Sequence, residues 1–230
     1  MKIPYVSCIM PTANRPKFIP LAIGYFLGQD YQNAELIIID DGQDPVVKLV
    51  PKHHRIRYFH RETVSTIGMK RNYACEAAKG EIIMHWDDDD WYAHDWISRQ
   101  LSALESSGAD LCGLNTITFF SPLVQKFWRY ADPDNQRPWL SGATMAYRKN
   151  LWEKYPFKDL QIGEDYDYLW NSGAKIYAHN YNDGFIAILH PHNTTLKPFE
   201  NPKHKRHAIE WMNVPYKGKA ENPEQSRPDN

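Results

Sequence analysis

The chain has 230 residues, with 27 Lys and Arg against 28 Asp and Glu, a formal net charge of -1 and a pI of about 6.8. That balance gives no global basic field for nucleic acid, and no run approaches the roughly 18 apolar residues of a membrane span, which predicts a soluble protein and leaves peripheral membrane contact open. Hydrophobic residues at 42% suit a sizeable globular core, and the odd, widely spaced Cys8, Cys75 and Cys112 read as reduced packing residues of a cytoplasmic protein.

Tyr5 to Met10 reads as a buried first strand. The loop Pro11-Thr12-Ala13-Asn14-Arg15-Pro16 follows, and apolar residues at helical spacing from Phe18 to Leu27 predict a helix stopped by Gly28. Glu35 to Ile39 is a second strand, ending in Asp40-Asp41-Gly42, and Ile56 to His60 is a weaker third. Ile67 to Ala78 predicts a helix with Gly80 as its stop. Ile82 to Met84 is a short, partly β-branched run that predicts a fourth buried strand. It leads through His85-Trp86 into the consecutive carboxylates Asp87, Asp88, Asp89 and Asp90.

Past Asp95 the pattern changes. Trp96 to Leu104 predicts a helix, while Asp110 to Phe120, Gln125 to Tyr130 and Ala143 to Tyr147 read as strands. Asn150 to Tyr155 and the segment opened by Gly163-Glu164-Asp165 read as helices, and Lys175 to Ala178 and Phe185 to Leu189 as final strands. Strands alternating with helices predict an α/β fold with a largely parallel sheet. The organisation read here is one domain with two halves, residues 1–95 and 96–200, followed by a polar, Pro-interrupted tail over 201–230 whose end is expected to be disordered.

Two apolar strands that end in carboxylates would place those carboxylates at one edge of a parallel sheet, where ligands bind in open α/β folds. Like charges about 4 Å apart repel by roughly 4 kcal/mol at an effective dielectric near 20. The Asp87–Asp90 run therefore implies either an offsetting cation or a solvated acidic turn. Asp40 is a candidate acceptor for a base or ribose, or the start of an Asp-Gly turn. Gly68-Met69-Lys70-Arg71-Asn72 opens a helix whose N–H groups, with Lys70 or Arg71, suit a diphosphate. The alternative is a solvated cationic face, and Lys70 fits that better. Glu164 and Asp165 also suit a helix N-terminus on charge grounds alone.

Taken together, these segments resemble the family 2 glycosyltransferases. Val6-Ser7-Cys8-Ile9-Met10-Pro11-Thr12-Ala13-Asn14-Arg15 is similar to their opening, and Ile38-Ile39-Asp40-Asp41-Gly42 to their second-strand motif. Gly68 to Asn72 resembles their Gly-x-x-x-Arg-Asn segment, Gly80 to Asp90 their DxD strand, and Gly163-Glu164-Asp165 their Glu-Asp motif. Trp86 and His94 depart from the family's usual Leu and Pro.

The resemblance implies a GT-A fold, with a Rossmann-like, mostly parallel sheet flanked by helices and a smaller mixed β half on the acceptor side. It also implies inverting transfer from a nucleotide-diphospho sugar, with UDP favoured, to a saccharide, lipid-linked or other hydroxyl acceptor. On this resemblance Pro11, Thr12, Arg15 and Asp40 lie at the nucleoside pocket. Arg71 serves the diphosphate, Asp87 and Asp89 form the DxD pair, Asp87 or Asp88 lies near the ribose, and Asp165 is the general base. Asp89 would hold Mn²⁺ or Mg²⁺ between the phosphates. Asp90 reads as a cap or supporting acceptor for the helix that follows. A histidine after the last strand would complete the metal shell, with His192 ranked ahead of His190. Gly142 would let the backbone approach the donor sugar, with Glu164 on the same side. Trp139 is an acceptor platform or a core residue, and Trp91, Tyr92 and Trp96 read as core or rim. A metal-dependent nucleotidyltransferase and a non-catalytic nucleotide- or sugar-binding module are the alternatives.

Overall fold

The computed structural model describes residues 3–131, 138–194 and 212–213. The elements begin with β1 (Val6–Thr12), α1 (Ile19–Leu27), β2 (Ala34–Asp40), β3 (Ile56–His60), α2 (Ile67–Ala77) and β4 (Ile82–His85). Then come β5 (Trp91–Tyr92), α3 (Trp96–Ser107), β6 (Leu111–Leu114), β7 (Thr116–Ser121) and β8 (Lys126–Ala131). The remainder is β9 (Ala146–Arg148), α4 (Lys149–Lys154), α5 (Glu164–Asn171), β10 (Ile176–His179), β11 (Phe185–Ile188) and β12 (Met212–Asn213).

A seven-stranded sheet runs β10-β6-β9-β4-β1-β2-β3, and a five-stranded sheet runs β12-β8-β7-β11-β5. In the larger sheet only β9 is antiparallel to its neighbours. Every residue of β2 is buried, as expected of a parallel strand covered on both faces. Alternate side chains divide between two cores. Cys8, Met10 and Ile38 pack with Phe26 of α1 and Trp96 of α3. Ile9, Ile37 and Ile39 pack with Ala74 and Cys75 of α2 and with Tyr147 and Tyr168.

Register brings the site together. Thr12 pairs with Asp40 across β1–β2, and Ile9 with His85 across β1–β4. β4 therefore reaches the sheet edge three residues early, and the chain beyond it carries Asp87 to Asp90 alongside the end of β1.

Several elements differ from expectation. The single strand expected over 110–120 is two. β6 belongs to the large sheet, and after Asn115 β7 joins the small one, so the chain changes sheets without leaving extended backbone. Gly142–Thr144 forms a short 3-10 turn where a strand was expected to start. Trp91 and Tyr92 form the short β5, and Trp86, Tyr92 and Trp96 are at most 2% exposed. Trp86 stacks on Tyr92 with centroids 3.9 Å apart. Burial of such side chains contributes about 1.5–3 kcal/mol each. Gly108, with φ 59, closes α3 in the left-handed conformation. Met212 and Asn213, from the segment read as a tail, pair antiparallel with β8. The rest of that tail and its expected disorder lie outside the described residues. All three cysteines are buried and unpaired.

Candidate functional site

The carboxylates that end β2 are taken up by their own surroundings. Asp40 is fully buried and accepts hydrogen bonds from the Gly42 N–H at 2.9 Å, the Val46 N–H at 2.9 Å and the Tyr58 hydroxyl at 2.7 Å. Asp41 accepts from the Ser65 N–H at 2.7 Å and from Lys70 Nζ at 2.8 Å. Asp40 thus shapes the loop after β2. The placement of Lys70 is corrected. It is buried, not on a solvated face, and its ammonium also reaches the Thr12 carbonyl at 3.3 Å.

The carboxylates beyond β4 meet different partners. Asp88 accepts from the Thr12 hydroxyl at 2.5 Å and from the Arg15 guanidinium at 2.8 Å. The same Arg15 nitrogen lies 2.8 Å from Asp89. His190 Nε2 and Asn193 Nδ2 also reach that Asp89 oxygen, at 3.0 and 3.3 Å. Asp90 accepts from the Ile188 N–H at 3.0 Å. It therefore fastens β11 to the acidic run and does not cap α3. Pro11 sits beside this edge, partly exposed, in register with Ile39.

The run is neither solvated nor uniformly charged. Burial raises Asp87 to about 7, the nearby Arg71 opposes the rise and Asp89 adds to it. Burial, then the charge of Asp89, raises Asp88 despite Arg15. Burial, with Asp89 and Asp87, raises Asp90 well above the carboxylate range. Asp89 goes the other way: burial pushes it up, but His190 and Arg15 outweigh that and hold it low. Burial disfavours the charged forms of Asp87, Asp88 and Asp90, while Arg15 offsets charge on Asp88 and Asp89.

The second cluster forms where α2 meets α5. Arg71 is buried and forms an ion pair with Glu164, while its Nε has no partner. Burial lowers the Arg71 pKa, but Glu164, Asp87 and Asp165 together raise it, so one guanidinium lies within electrostatic reach of both acidic groups. Glu164 is 5% exposed and faces Arg71. Asp165 follows at the head of α5, partly exposed. A Cβ on Gly142 would lie 2.1 Å from Asp165 Oδ2, so the missing side chain makes room for Asp165.

A family model for Glycosyl transferase family 2 matches residues 7–166. The chain belongs to that family. It is 35% identical over 107 residues to an uncharacterized glycosyltransferase of Haemophilus influenzae, a match covering 44% of this chain and 43% of that protein. It is 27% identical over 111 residues to the glycosyltransferase GlyG of Streptococcus pneumoniae, covering 46% of this chain and 37% of that one. The chain thus spans less than half the length of these curated relatives. The S. aureus TarS 1-349 structure in complex with UDP-GlcNAc aligns with a TM-score of 0.65 at 19% identity, over 83% of this chain and 60% of that one. The mannosyltransferase PcManGT of Pyrobaculum calidifontis, in complex with GDP-Man and Mn²⁺, aligns with a TM-score of 0.60 at 17% identity, over 82% and 57%. These likenesses establish the fold as GT-A.

For a family 2 chain the question of a metal turns on Asp89. Among the described residues no three His, Cys, Asp or Glu side chains converge on one point. A hard divalent cation that keeps phosphate oxygens and waters in its shell needs only one or two carboxylates, and Asp89 fits that demand. The histidine ranking is reversed. The His192 side chain is exposed and its carbonyl accepts from Arg15 at 2.6 Å, whereas His190 reaches Asp89 and stacks on Phe18 with centroids 4.5 Å apart. His190 Nδ1 accepts the His192 N–H at 3.1 Å, so Nε2 carries the ring proton. In this arrangement His190 donates to Asp89 and does not offer a lone pair to a cation.

Trp139 is half-buried and packs edge-on against Tyr130 at 5.2 Å. Sequence reasoning passed over Tyr166 and Trp170, each 40% exposed and 5.1 Å apart on α5 beside Asp165. Their spacing of four on a helix opened by Asp165 was the available signal. It also passed over Asn193, whose bond to Asp89 only the fold shows.

Proposed function

We propose that this chain transfers a glycosyl group from a nucleoside-diphosphate sugar, UDP-linked in preference, to an acceptor hydroxyl with inversion at the anomeric carbon. The supporting observation is that Asp87 of the acidic edge and Asp165 at the head of α5 both lie within electrostatic reach of one buried guanidinium, Arg71. Pro11, Thr12, Arg15, Asp87 and Asp88 form the donor side. Arg15, held between two carboxylates, places a planar cation where a diphosphate would lie. Arg71, expected at the diphosphate, instead fixes Glu164 and spreads its charge toward both acidic groups. When bound at Asp89, Mn²⁺ or Mg²⁺ supplies charge neutralisation for the departing nucleoside diphosphate.

Asp165 takes the proton of the acceptor hydroxyl as that oxygen attacks the anomeric carbon, and in-line attack from the far face inverts the centre. Trp139, Tyr166 and Trp170 give the acceptor side aromatic faces of the kind that pack against sugar rings. The acceptor class is a saccharide, a lipid-linked sugar or another hydroxyl compound. No helix among the described residues is long and apolar enough to cross a membrane. The buried, unpaired cysteines suit a reducing, cytoplasmic setting.

The test is Asp165→Asn against wild type, with UDP-, GDP- and dTDP-sugars and Mn²⁺. The variant keeps nucleotide binding by calorimetry and loses transfer. Loss of nucleotide binding as well would remove Asp165 from the role of base. The product is the nucleoside diphosphate; released pyrophosphate would establish a nucleotidyltransferase, and binding without turnover of any donor a non-catalytic module.

A further inference from the structure

His85 ends β4 under the site and is 1% exposed. Its Nδ1 lies 2.5 Å from the carbonyl oxygen of Gly142. A carbonyl only accepts, so Nδ1 carries a hydrogen. Burial, with help from the Arg71 charge, holds the ring well below its ordinary pKa, so it is neutral and Nε2 is a lone pair. Tyr147 Oη sits 3.4 Å from that Nε2 and donates to it. Cys75 Sγ is 3.4 Å from the same hydroxyl. With the Tyr147 proton committed, the Cys75 thiol is the donor, and burial pushes that thiol up to about 12, so it keeps its proton. The buried chain therefore has one direction: Cys75 to Tyr147 to His85 to the Gly142 carbonyl.

The other end of the turn is held separately. The Ser141 N–H donates to the Leu114 carbonyl at 2.9 Å, Thr144 Oγ1 accepts from the Leu114 N–H at 3.0 Å, and Gln100 donates to the Thr144 carbonyl at 2.9 Å. On the Gly142 carbonyl itself the only other donor among the described residues is the Met145 N–H, at 3.4 Å. Gly142 is also the surface on which Asp165 rests, with no room for a Cβ between them.

We propose that His85 is a positioning residue for Asp165. By donating from Nδ1 to the Gly142 carbonyl it fixes the orientation of that peptide, and the peptide fixes where the Asp165 carboxylate lies. This rests on the reading of Asp165 as the base. His85 touches neither donor nor acceptor in this scheme, and its ring takes no part in proton transfer.

The test compares His85→Phe, which keeps ring bulk without a donor, with His85→Asn, whose amide can donate from nearly the same place. Each is assayed with the nucleotide sugar that wild type turns over fastest, and UDP binding is followed by calorimetry. Displacing a reacting group by about 1 Å can cost roughly a hundredfold, so His85→Phe is expected to lose about a hundredfold in kcat with donor KM within about twofold, and His85→Asn to recover to within about tenfold of wild type. Wild-type kcat in His85→Phe, or equal losses in two folded variants, would overturn the proposal. An active Asp165→Asn enzyme would overturn the base reading and not the hydrogen bond. Should His85→Phe not fold, ¹⁵N NMR of the wild-type ring decides. The Nδ1–H form with bare Nε2 is expected, and the opposite tautomer would end the proposal.

Discussion

At the end of β2, Asp40 and Asp41 are bound by backbone N–H groups of Gly42, Val46 and Ser65, by the Tyr58 hydroxyl and by Lys70, whose side chain is 8% exposed. Two strands away, Asp88 and Asp89 are bound by the side-chain tips of Thr12, Arg15, His190 and Asn193, and Arg15 is 18% exposed. Both pairs end parallel strands, and as text they look alike. The partners of the first pair include backbone N–H groups of the loops that follow β2 and β3, together with the Tyr58 hydroxyl and Lys70. The partners of the second pair are all side chains, Thr12 from the end of β1 and Arg15, His190 and Asn193 from the loops beyond the strands, and such side chains can turn to other partners without breaking backbone hydrogen bonds. On the function proposed above, what separates a structural carboxylate from a ligand-binding one is the exchangeability of its partners, not its burial.

The sharpest way to break this comparison is to remove one carboxylate from each pair. Asp89→Ala is expected to lower metal-dependent turnover by about a thousandfold, equivalent to about 4 kcal/mol of barrier, while the melting temperature moves little. Full turnover in EDTA would remove Asp89 from that role. Asp40→Ala strands three buried donors and is expected to cost about 3 kcal/mol of folding stability, seen as a lower urea midpoint at unchanged slope. A variant of wild-type stability and weakened UDP affinity would return Asp40 to the nucleoside pocket.

Gly142→Ala probes the far side of Arg71. The added methyl would overlap the Asp165 carboxylate. A loss of about a hundredfold in kcat with little change in donor KM is expected from such a displacement. Steady-state kinetics with the preferred donor measures it, and an unchanged kcat would show that Asp165 tolerates the move.

The sheet edge was legible in the chain because parallel strands buried on both faces read as unbroken apolar runs, as Ile37-Ile38-Ile39 and Ile82-Ile83 do. The ordered motifs then placed the chain in its family. The fates of individual polar residues were not legible. Nothing in Gly68-Met69-Lys70-Arg71-Asn72 shows that Lys70 turns to Asp41 and Arg71 to Glu164, because both partners are distant in sequence. His190 and His192 are two residues apart, and only the path of the loop decides which ring meets Asp89. His85 looked like a spacer before the acids, since its carbonyl partner lies 57 residues away.

The smallest effect concerns acid, and it sets the background against which both carboxylate pairs must be read. Acid loss of stability would naturally be assigned to Asp89, whose carboxyl is held low by His190 and Arg15. A separate source lies on β10: His179 donates from Nε2 to Gln100 Oε1 at 2.9 Å, and burial lowers its pKa to about 4. The unfolded chain would take up that proton near 6.5. The folded state therefore binds fewer protons than the unfolded state between those values. The stability His179 contributes is complete above 6.5 and is lost as pH falls toward 4. By pH 5.5 the loss is about 1.4 kcal/mol. His85, also held neutral by burial, acts in the same direction. His179→Gln keeps a donor toward Gln100 and removes the titration, so its urea midpoint should fall less than wild type between pH 7 and 5.5. Whatever acid sensitivity remains then belongs to His85 and the carboxylates. If the two proteins lose stability in parallel, His179 is solvated in its folded state and the whole acid response returns to those other groups.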